Sequence, residues 1–315
     1  MTNTLVIDTS FGSTVGVLGH EPIIETDSRT HVEKLQVNIG KAVGQAGLTP
    51  QGLDRIVVGV GPAPFTGLRA GVVAAKAIAY ATGAQLLGQD ILEPQAWMMK
   101  LKREGDARLA DCDFLKGTET EKTPNTESVH HLTLAVNDAR RRQLYFALYS
   151  DEKQTIDDNG VSQQPASENT NSFVSTLVDM DIDYPQHIVE RINEAVQKLG
   201  AEDAVQGEYR IDIVGHGASK YADAWQGFGT MLGRVIDHSV LDAGAAGLEI
   251  FAECALASNG IDSSDANGVN GKLGDNSSSS ENATKPVEPL YLRRPDVSVP
   301  NPLKHVLNHA GAMKA

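Results

Sequence analysis

The sequence predicts an α/β protein made of two related halves. Apolar, strand-like runs alternate with helix-period segments along the first hundred residues, and this alternation is typical of α/β folds. A short strand that ends in an aspartate and returns through a second strand occurs twice, at Asp8 and at Asp138, which indicates a duplicated unit. Hydrophobic residues make up 41% of the 315-residue chain, so two cores of ordinary size can be filled.

Each predicted element rests on its own local pattern. Short apolar runs bounded by Gly, Asp or Ser predict strands, whereas apolar residues at spacings of three and four predict helices. Turn residues such as those at 50–52 separate neighbouring elements. The predicted strands are 5–7, 14–18, 23–26, 55–60, 85–87, 132–136, 143–149 and 211–214, and the predicted helices are 31–46, 67–82 and 184–199.

Shifts in composition divide the chain into segments. Large apolar residues become rare after residue 102 and return near residue 131, and a Ser/Asn/Gly-rich stretch cannot bury enough apolar surface to stay ordered. The predicted organisation is a first α/β domain at 1–102, a polar insertion at 103–130, a second α/β domain at 131–257, a disordered loop at 258–286 and a C-terminal segment at 287–315, with a further polar loop at 151–172.

Charge and cysteine content exclude several protein classes. The net charge of −14 disfavours a free-standing nucleic-acid binder, so a partner must supply the basic surface if RNA is involved. Cys112 and Cys254 lie far apart and have no second ligand nearby, which argues against a disulfide framework and a thiolate metal site. We expect neither a signal peptide nor a membrane span, and we therefore expect a cytoplasmic protein.

The stretch GPAPFTGLRAG at 61–71 looks like a phosphate-binding loop but fits neither common type. Leu68-Arg69 stands where a Walker loop needs Lys-Ser/Thr. Pro62-Ala63-Pro64 follows where a dinucleotide-binding fingerprint needs its third glycine, and its two prolines have no backbone N–H to donate to a phosphate. The stretch instead predicts a rigid strand-to-helix turn in which Thr66 caps the helix. An anion contact at the helix start is the alternative.

The alanine-rich helix at 67–82 has almost no polar face, since only Arg69, Lys76 and Tyr80 mark a polar stripe. A helix on the surface of a single domain should show a wide polar face. The pattern favours a helical protein–protein interface formed with helix 31–46, and the alternative is a helix sandwiched within its own domain. The predicted interface residues are Leu35, Ile39, Val43, Ala70, Val73, Ala74 and Ala77.

Several stretches together resemble the TsaB (YeaZ) family. They are LVIDTS, the His31-x-x-x-Leu35 helix start, VVGVGPAPFTGLRAGVVAAKAIA, LAVNDARRRQLYFALY and EPLYLR. The resemblance covers about residues 1–100, 132–150, 211–221 and 288–294, and the polar segments depart from the family pattern as insertions. It implies an actin/Hsp70/sugar-kinase-like (ASKHA) fold of two α/β halves.

The resemblance also implies a function. A TsaB protein is a non-catalytic scaffold or activator that pairs with the catalytic subunit TsaD, with a TsaE-like ATPase joining them, to threonylcarbamoylate the adenosine beside the anticodon of tRNA. The chain would then need no cofactor, since ATP and metal belong to the partner subunits, and it would meet tRNA only through the complex. A homodimer through the same surface is a further expectation.

Catalytic and metal-binding residues are not predicted for this chain. TsaD carries a His-x-x-x-His pair that grips a metal, but the corresponding residues 88–95 contain no histidine. A nucleophile–His pair or zinc helix, which an endopeptidase would need, is not present in the sequence pattern either.

A nucleotide-binding enzyme is the alternative function. Asp8 and Asp138 stand where kinases of the implied fold place carboxylates that orient magnesium, and Gly215 and Gly217 stand where such folds hold adenosine. Ser13 is the phosphate-side hydroxyl of the turn after Asp8. These five residues form a predicted vestigial nucleotide site, or, in the alternative, the site of a kinase-like ATP-dependent enzyme.

Overall fold

Two five-stranded sheets share one strand order in the computed structural model, which describes residues 2–27, 30–116, 128–152, 172–202, 207–261 and 286–292. The first sheet contains β1 (Thr4–Asp8), β2 (Ser13–Val17), β3 (Ile23–Glu25), β4 (Arg55–Gly61) and β5 (Gln85–Asp90). The second contains β6 (Ser128–Asp138), β7 (Leu144–Ser150), β8 (Ser175–Asp183), β9 (Gly207–Val214) and β10 (Leu232–Ile236). The helices are α1 (His31–Gln45), α2 (Phe65–Thr82), α3 (Leu92–Glu104), α4 (Pro185–Glu202), α5 (Ala222–Trp225) and α6 (Gly244–Ser258).

The repeat of strand order confirms the predicted fold class. The first sheet runs β3-β2-β1-β4-β5 and the second runs β8-β7-β6-β9-β10. In each sheet the first three strands form an antiparallel meander. The fourth strand, β4 or β9, pairs in parallel with the central strand, and the fifth, β5 or β10, pairs in parallel with the fourth. The chain therefore has two related α/β halves, as the ASKHA prediction requires.

The side chains of the central strands alternate between two cores. Leu5 and Ile7 of β1 pack with α1 and α2, while Val6 points to the opposite face, toward α3 and α6. The second sheet repeats this division, with Ala135 facing the middle layer and Leu134 facing α4 and α5. The order of layers is α1 and α2, first sheet, α3 and α6, second sheet, then α4 and α5. Because both sheet faces are covered, β1 and β4 are buried along their whole length.

Helix α2 starts one residue earlier than its predicted cap. Pro64 occupies the N-cap position, and no side chain caps the helix, so Thr66 lies inside the first turn and the predicted cap is wrong. Proline fixes its own φ near the value found here, −58°, which explains how the turn is held without a capping hydroxyl. The helix ends at Gly83, whose φ of 75° favours glycine.

Arg103, predicted to open a polar insertion, is instead a buried link between the halves. Its side chain is 4% exposed and contacts both carboxylate oxygens of Asp151 at 2.7 Å, and it also donates to Asp212 at 2.9 Å and to Thr133 at 3.1 Å. The three partners lie on or just beyond β7, β9 and β6. Arg103 therefore ties the end of α3 to the second sheet.

Several segments predicted from the sequence lie partly outside the residues that the structure describes. Of the predicted polar insertion, residues 117–127 lie outside the described residues, and β6 already begins at Ser128. The same holds for 153–171 of the predicted polar loop, for 262–285 of the predicted disordered loop, and for 293–315 of the C-terminal segment. In the described ranges, every helix is too short or too polar to traverse a lipid bilayer.

Candidate functional site

Four of the seven predicted interface residues lie in the chain's own core. Leu35, Ile39 and Val43 on α1 are 2–6% exposed, and Ala74 on α2 is 4% exposed. They pack with residues of β1, β2 and β4 in one cluster. The prediction that these four contact a partner needs correction, because the most apolar side of each helix covers the first sheet.

The exposed sides of the same two helices are nevertheless partly apolar. Val73 is 61% exposed, Ala77 is exposed and Ala70 is half-buried. Two further residues, which the sequence reasoning did not assign to the interface, belong to this surface: Val37 on α1 is 56% exposed and Tyr80 on α2 is 94% exposed. We call Val37, Val73, Ala77 and Tyr80 the α1/α2 face.

Helical spacing makes the α2 part of the α1/α2 face continuous. Val73, Ala77 and Tyr80 follow one another at intervals of four and three, so they form one stripe along α2. On α1, side chains added at Gly40 or Gly44 would meet nothing within 4 Å. Because α1 and α2 touch each other and cover the same side of the first sheet, a second helical surface could approach both backbones closely.

The glycine-proline turn before α2 joins the two halves. Asn137 Nδ2 donates to the Pro62 carbonyl at 3.0 Å, and the Tyr145 hydroxyl donates to the Ala63 carbonyl at 3.2 Å. Both donors lie at the base of the β6–β7 hairpin in the second half, where Asn137 pairs with Tyr145. The turn therefore acts as a structural joint, in agreement with the strand-to-helix prediction.

The described part of the C-terminal segment, 286–292, returns to the same turn. Leu290 N donates to the Val60 carbonyl at 2.8 Å, and Lys76 Nζ lies 2.7 Å from a Glu288 carboxylate oxygen. The Tyr291 ring packs 5.1 Å from the Phe65 ring. The described part of the EPLYLR stretch, 288–292, thus closes one side of α2.

Asp8, the first predicted nucleotide-site residue, is buried and already bonded. Its carboxylate accepts from the Ser10 amide at 2.9 Å and from the Ser10 hydroxyl at 2.7 Å. Burial raises the pKa of Asp8, although the Ser10 hydrogen bonds oppose the rise. The space beside Asp8 is tight, because a Cβ on Gly59 would lie 1.9 Å from its Oδ1 atom.

A stacked pair closes the cleft beside Asp8. The Phe11 ring lies 3.9 Å from the His216 ring at 18°, and His216 Nε2 lies 2.9 Å from Asp242 Oδ2. Burial would raise the pKa of Asp242, but the hydrogen bond and charge of His216 outweigh it and lower that pKa. The remaining cavity, lined by Asp8, has a volume of about 20 Å³, whereas small-molecule sites measure roughly 300–1,000 Å³.

The other predicted nucleotide-site residues do not line this cavity. Ser13 is fully buried. Asp138 pairs with Lys220 at 3.1 Å and accepts from the Arg140 amide at 2.7 Å. The Gly217 amide donates to Asp237 at 2.8 Å, and a Cβ on Gly215 would strike the Val136 carbonyl oxygen. The two glycines are thus needed for close packing, and Asp138 serves a turn.

A buried acidic pair starts α3, where the resemblance places the histidine pair of TsaD. Asp90 Oδ1 accepts from the Leu92 and Glu93 amides, each at 2.8 Å, and so caps the helix. The Ser172 hydroxyl lies 2.6 Å from a Glu93 oxygen. Burial, followed by the charge of Asp90, raises the pKa of Glu93 to about 7. Over the ranges that the structure covers, no three His, Cys, Asp or Glu side chains group as metal ligands.

The raised pKa of Glu93 predicts a pH-dependent stability. Folded Glu93 holds its proton more tightly than the unfolded chain, so its contribution is full below about pH 4.5 and is lost as the pH rises to about 7. Glu93→Gln should match the wild type near pH 4.5 and exceed its unfolding free energy by roughly 3 kcal/mol above pH 7. Urea unfolding across this range measures the difference, with Glu208→Gln at an exposed site as the control. A difference that does not change with pH would contradict this account.

One family match lies in the first half of the chain. The family model described as "TsaD: tRNA N6-adenosine threonylcarbamoyltransferase" matches residues 22–107. A tRNA N6-adenosine threonylcarbamoyltransferase of Ruegeria pomeroyi is 38% identical over 77 residues, which are 24% of this chain and 21% of that enzyme. An uncharacterized protein of Mycobacterium tuberculosis (strain H37Rv) is 32% identical over 163 residues, which are 50% of this chain and 63% of that protein. The chain thus spans less than two thirds of the curated relatives it matches.

Among solved structures, YeaZ from Pseudomonas aeruginosa aligns with a TM-score of 0.48 and 18% identity, covering 84% of this chain and 98% of that one. The family match spans α1, β4, the glycine-proline turn and α2. Over residues 22–107, the chain is therefore similar to the family described as tRNA N6-adenosine threonylcarbamoyltransferase.

Proposed function

We propose that the chain is a TsaB-type, non-catalytic subunit that binds a TsaD-like threonylcarbamoyltransferase through the α1/α2 face. The complex, together with a TsaE-like ATPase, modifies the adenosine beside the anticodon of tRNA, and ATP and metal are held by the partner subunits. The resemblance of the sequence motifs and the family match over residues 22–107 support this assignment.

The observation that carries the proposal is the exposed apolar stripe on α2. Tyr80 and Val73 are among the most exposed large apolar side chains in the described chain. Exposed apolar patches mark interaction sites, and tyrosine is enriched among residues that anchor interfaces. The charge of the chain and the filled cleft beside Asp8 are consistent with a protein partner.

Co-expression with a TsaD-like protein from the same organism tests the proposal. The two chains should co-elute as one complex on a sizing column, and tRNA threonylcarbamoylation by the partner should depend on adding this chain. Separate elution together with full activity of the partner alone would overturn the proposal. Elution as a stable homodimer that does not exchange with the partner would also overturn the heterodimer assignment.

The kinase-like alternative rests on one observation, the buried Asp8 carboxyl with its raised pKa beside a cleft. The Phe11–His216 stack leaves no room for a nucleotide there. Isothermal titration of the isolated chain with Mg-ATP should therefore show no binding at micromolar concentrations. Micromolar binding that is lost in Asp8→Asn would favour the enzyme instead.

A further inference from the structure

The β6–β7 hairpin ends in three consecutive arginines that all adopt left-handed backbone conformations. The φ angles of Arg140, Arg141 and Arg142 are 62°, 51° and 64°, and all three residues are exposed. The turn is closed by hydrogen bonds from the Gln143 amide to the Arg140 carbonyl at 3.0 Å and from the Ala139 amide to the Gln143 carbonyl at 3.1 Å. The strained backbone is thus built into a tight, ordered hairpin.

Arginine is an unfavourable choice for this backbone. Residues with a Cβ are strained at positive φ, whereas glycine is not. Across the described ranges, the other eleven residues with positive φ are all glycines. Strained residues that persist cluster at functional sites, so the three positions point to a use for the arginine side chains themselves.

The hairpin tip lies near an exposed aromatic pair. The base of the hairpin is bonded to the turn at Pro62 and Ala63. Phe65 follows two residues later, 37% exposed, and packs against Tyr291, which is 45% exposed. Arg140 is three residues from Asn137, and Phe65 is three residues from Pro62. Because the chain spans at most about 3.5 Å per residue, the tip and this pair lie within roughly 30 Å of each other.

A further arginine adjoins the aromatic pair. The Arg69 guanidinium carbon lies 5.1 Å from the centre of the Phe65 ring. Guanidinium groups bind phosphates, and exposed aromatic rings stack on unpaired bases. Groups suited to phosphates and groups suited to bases therefore both adjoin the glycine-proline turn, although the chain as a whole has a net charge of −14.

We propose that this arginine-turn edge, formed by Arg140, Arg141, Arg142, Phe65, Arg69 and Tyr291, contacts a single-stranded loop of the tRNA in the assembled complex. The arginines hold phosphates, and the Phe65–Tyr291 pair stacks on a base. The inference rests on the proposed function for the identity of the RNA. It refines the expectation that tRNA is met only through the complex, because here this chain supplies part of the contact.

The test is the affinity of the complex for an unmodified tRNA transcript as a function of salt. Arg140→Ala with Arg142→Ala should weaken binding roughly 25-fold at about 0.1 M salt and lower the log–log salt slope by about 1.4, the value for two lost phosphate contacts on a single strand. Arg140→Lys with Arg142→Lys should keep most of the affinity. Tyr291→Ala should weaken binding roughly tenfold with an unchanged salt slope.

Two controls separate this role from a structural one. Lys198→Ala with Arg210→Ala removes the same charge from exposed sites elsewhere in the second half and should leave the affinity unchanged. Arg140→Gly with Arg142→Gly should weaken tRNA binding as the alanine pair does, yet raise the midpoint of thermal unfolding because glycine relieves the strain. Wild-type affinity in both the alanine and the glycine double variants of Arg140 and Arg142 would overturn the inference. An equal loss of affinity in the Lys198 and Arg210 double variant would overturn it as well.

Failure of the proposed function is distinguishable from failure of this inference. If sizing shows no complex with the TsaD-like protein, the same titrations on the isolated chain still apply, and the same ranking of variants is expected. If polyglutamate displaces the tRNA as effectively as single-stranded polyuridine does, the edge binds acidic protein and the RNA assignment is wrong.

Discussion

Val73→Glu should abolish the complex with the TsaD-like subunit while leaving the chain folded. Val73 is 61% exposed in the isolated chain, so a carboxylate there remains solvated, and glutamate forms helix at least as well as valine. In the complex the same carboxylate would be buried without a partner, at a cost of several kcal/mol. The dissociation constant should rise about 100-fold or more.

The matched control for this variant is Gln197→Glu, which adds the same charge at an exposed position of α4. It should bind the partner as the wild type does. Surface plasmon resonance, or a sizing column at micromolar concentration, measures the binding of both variants to the partner. Circular dichroism checks that both variants are folded. Ala74→Glu is not a valid test, because Ala74 is 4% exposed and packs in the core, so that charge would unfold the chain. Unchanged binding by Val73→Glu would remove α2 from the interface.

Arg103→Met should destabilise the chain by about 3–5 kcal/mol, because it leaves the buried carboxylate of Asp212 and the partly buried carboxylate of Asp151 without their cation. The methionine keeps most of the apolar stem, so the loss comes from the unpaired charges. Urea unfolding measures the effect. Because Arg103 joins α3 to the second sheet, the unfolding transition of the variant should also begin in the second half.

Arg191→Met provides the comparison for this prediction. Arg191 also contacts two aspartates, Asp181 at 2.8 Å and Asp183 at 3.3 Å, but its side chain is 38% exposed against 4% for Arg103. Solvent screens such pairs, so its loss should cost at most about 1 kcal/mol. Equal losses in the two variants would show that burial does not govern the contribution of Arg103.

The strand–helix pattern of the first half could be predicted because its central strands are short, wholly apolar or buried runs with turn residues at their ends, and its two helices α1 and α2 each have one buried side. Helix α6 could not, since it is sandwiched between the two sheets and apolar nearly all round, and such a segment has no helical period to detect. Helix α3 could not be predicted for the opposite reason. Glu93, Gln95 and Lys102 are polar but buried, so the sequence of this core helix resembles that of a surface segment.

The candidate interface could be located from sequence only to the level of a helix. The sequence pattern shows which side of α1 or α2 is more apolar, and it predicts that this side contacts a partner. In the structure, that more apolar side packs against the first sheet. The exposed side of α2, with Val73, Ala77 and Tyr80, is only partly apolar. The contact between Phe11 and His216 and the proximity of the hairpin tip to Phe65 join residues far apart in the chain, which no local spacing encodes.

The most direct measurement is the rate at which maleimide labels a cysteine placed at Tyr80, with and without the TsaD-like subunit. Tyr80 is 94% exposed in the isolated chain, so Tyr80→Cys should label rapidly there, above the background of Cys112 and Cys254. Binding of the partner should slow labelling about tenfold or more, because the centre of an interface excludes solvent, while Gln197→Cys keeps its rate. Equal rates for Tyr80→Cys in the free chain and in the complex would contradict the α1/α2 interface.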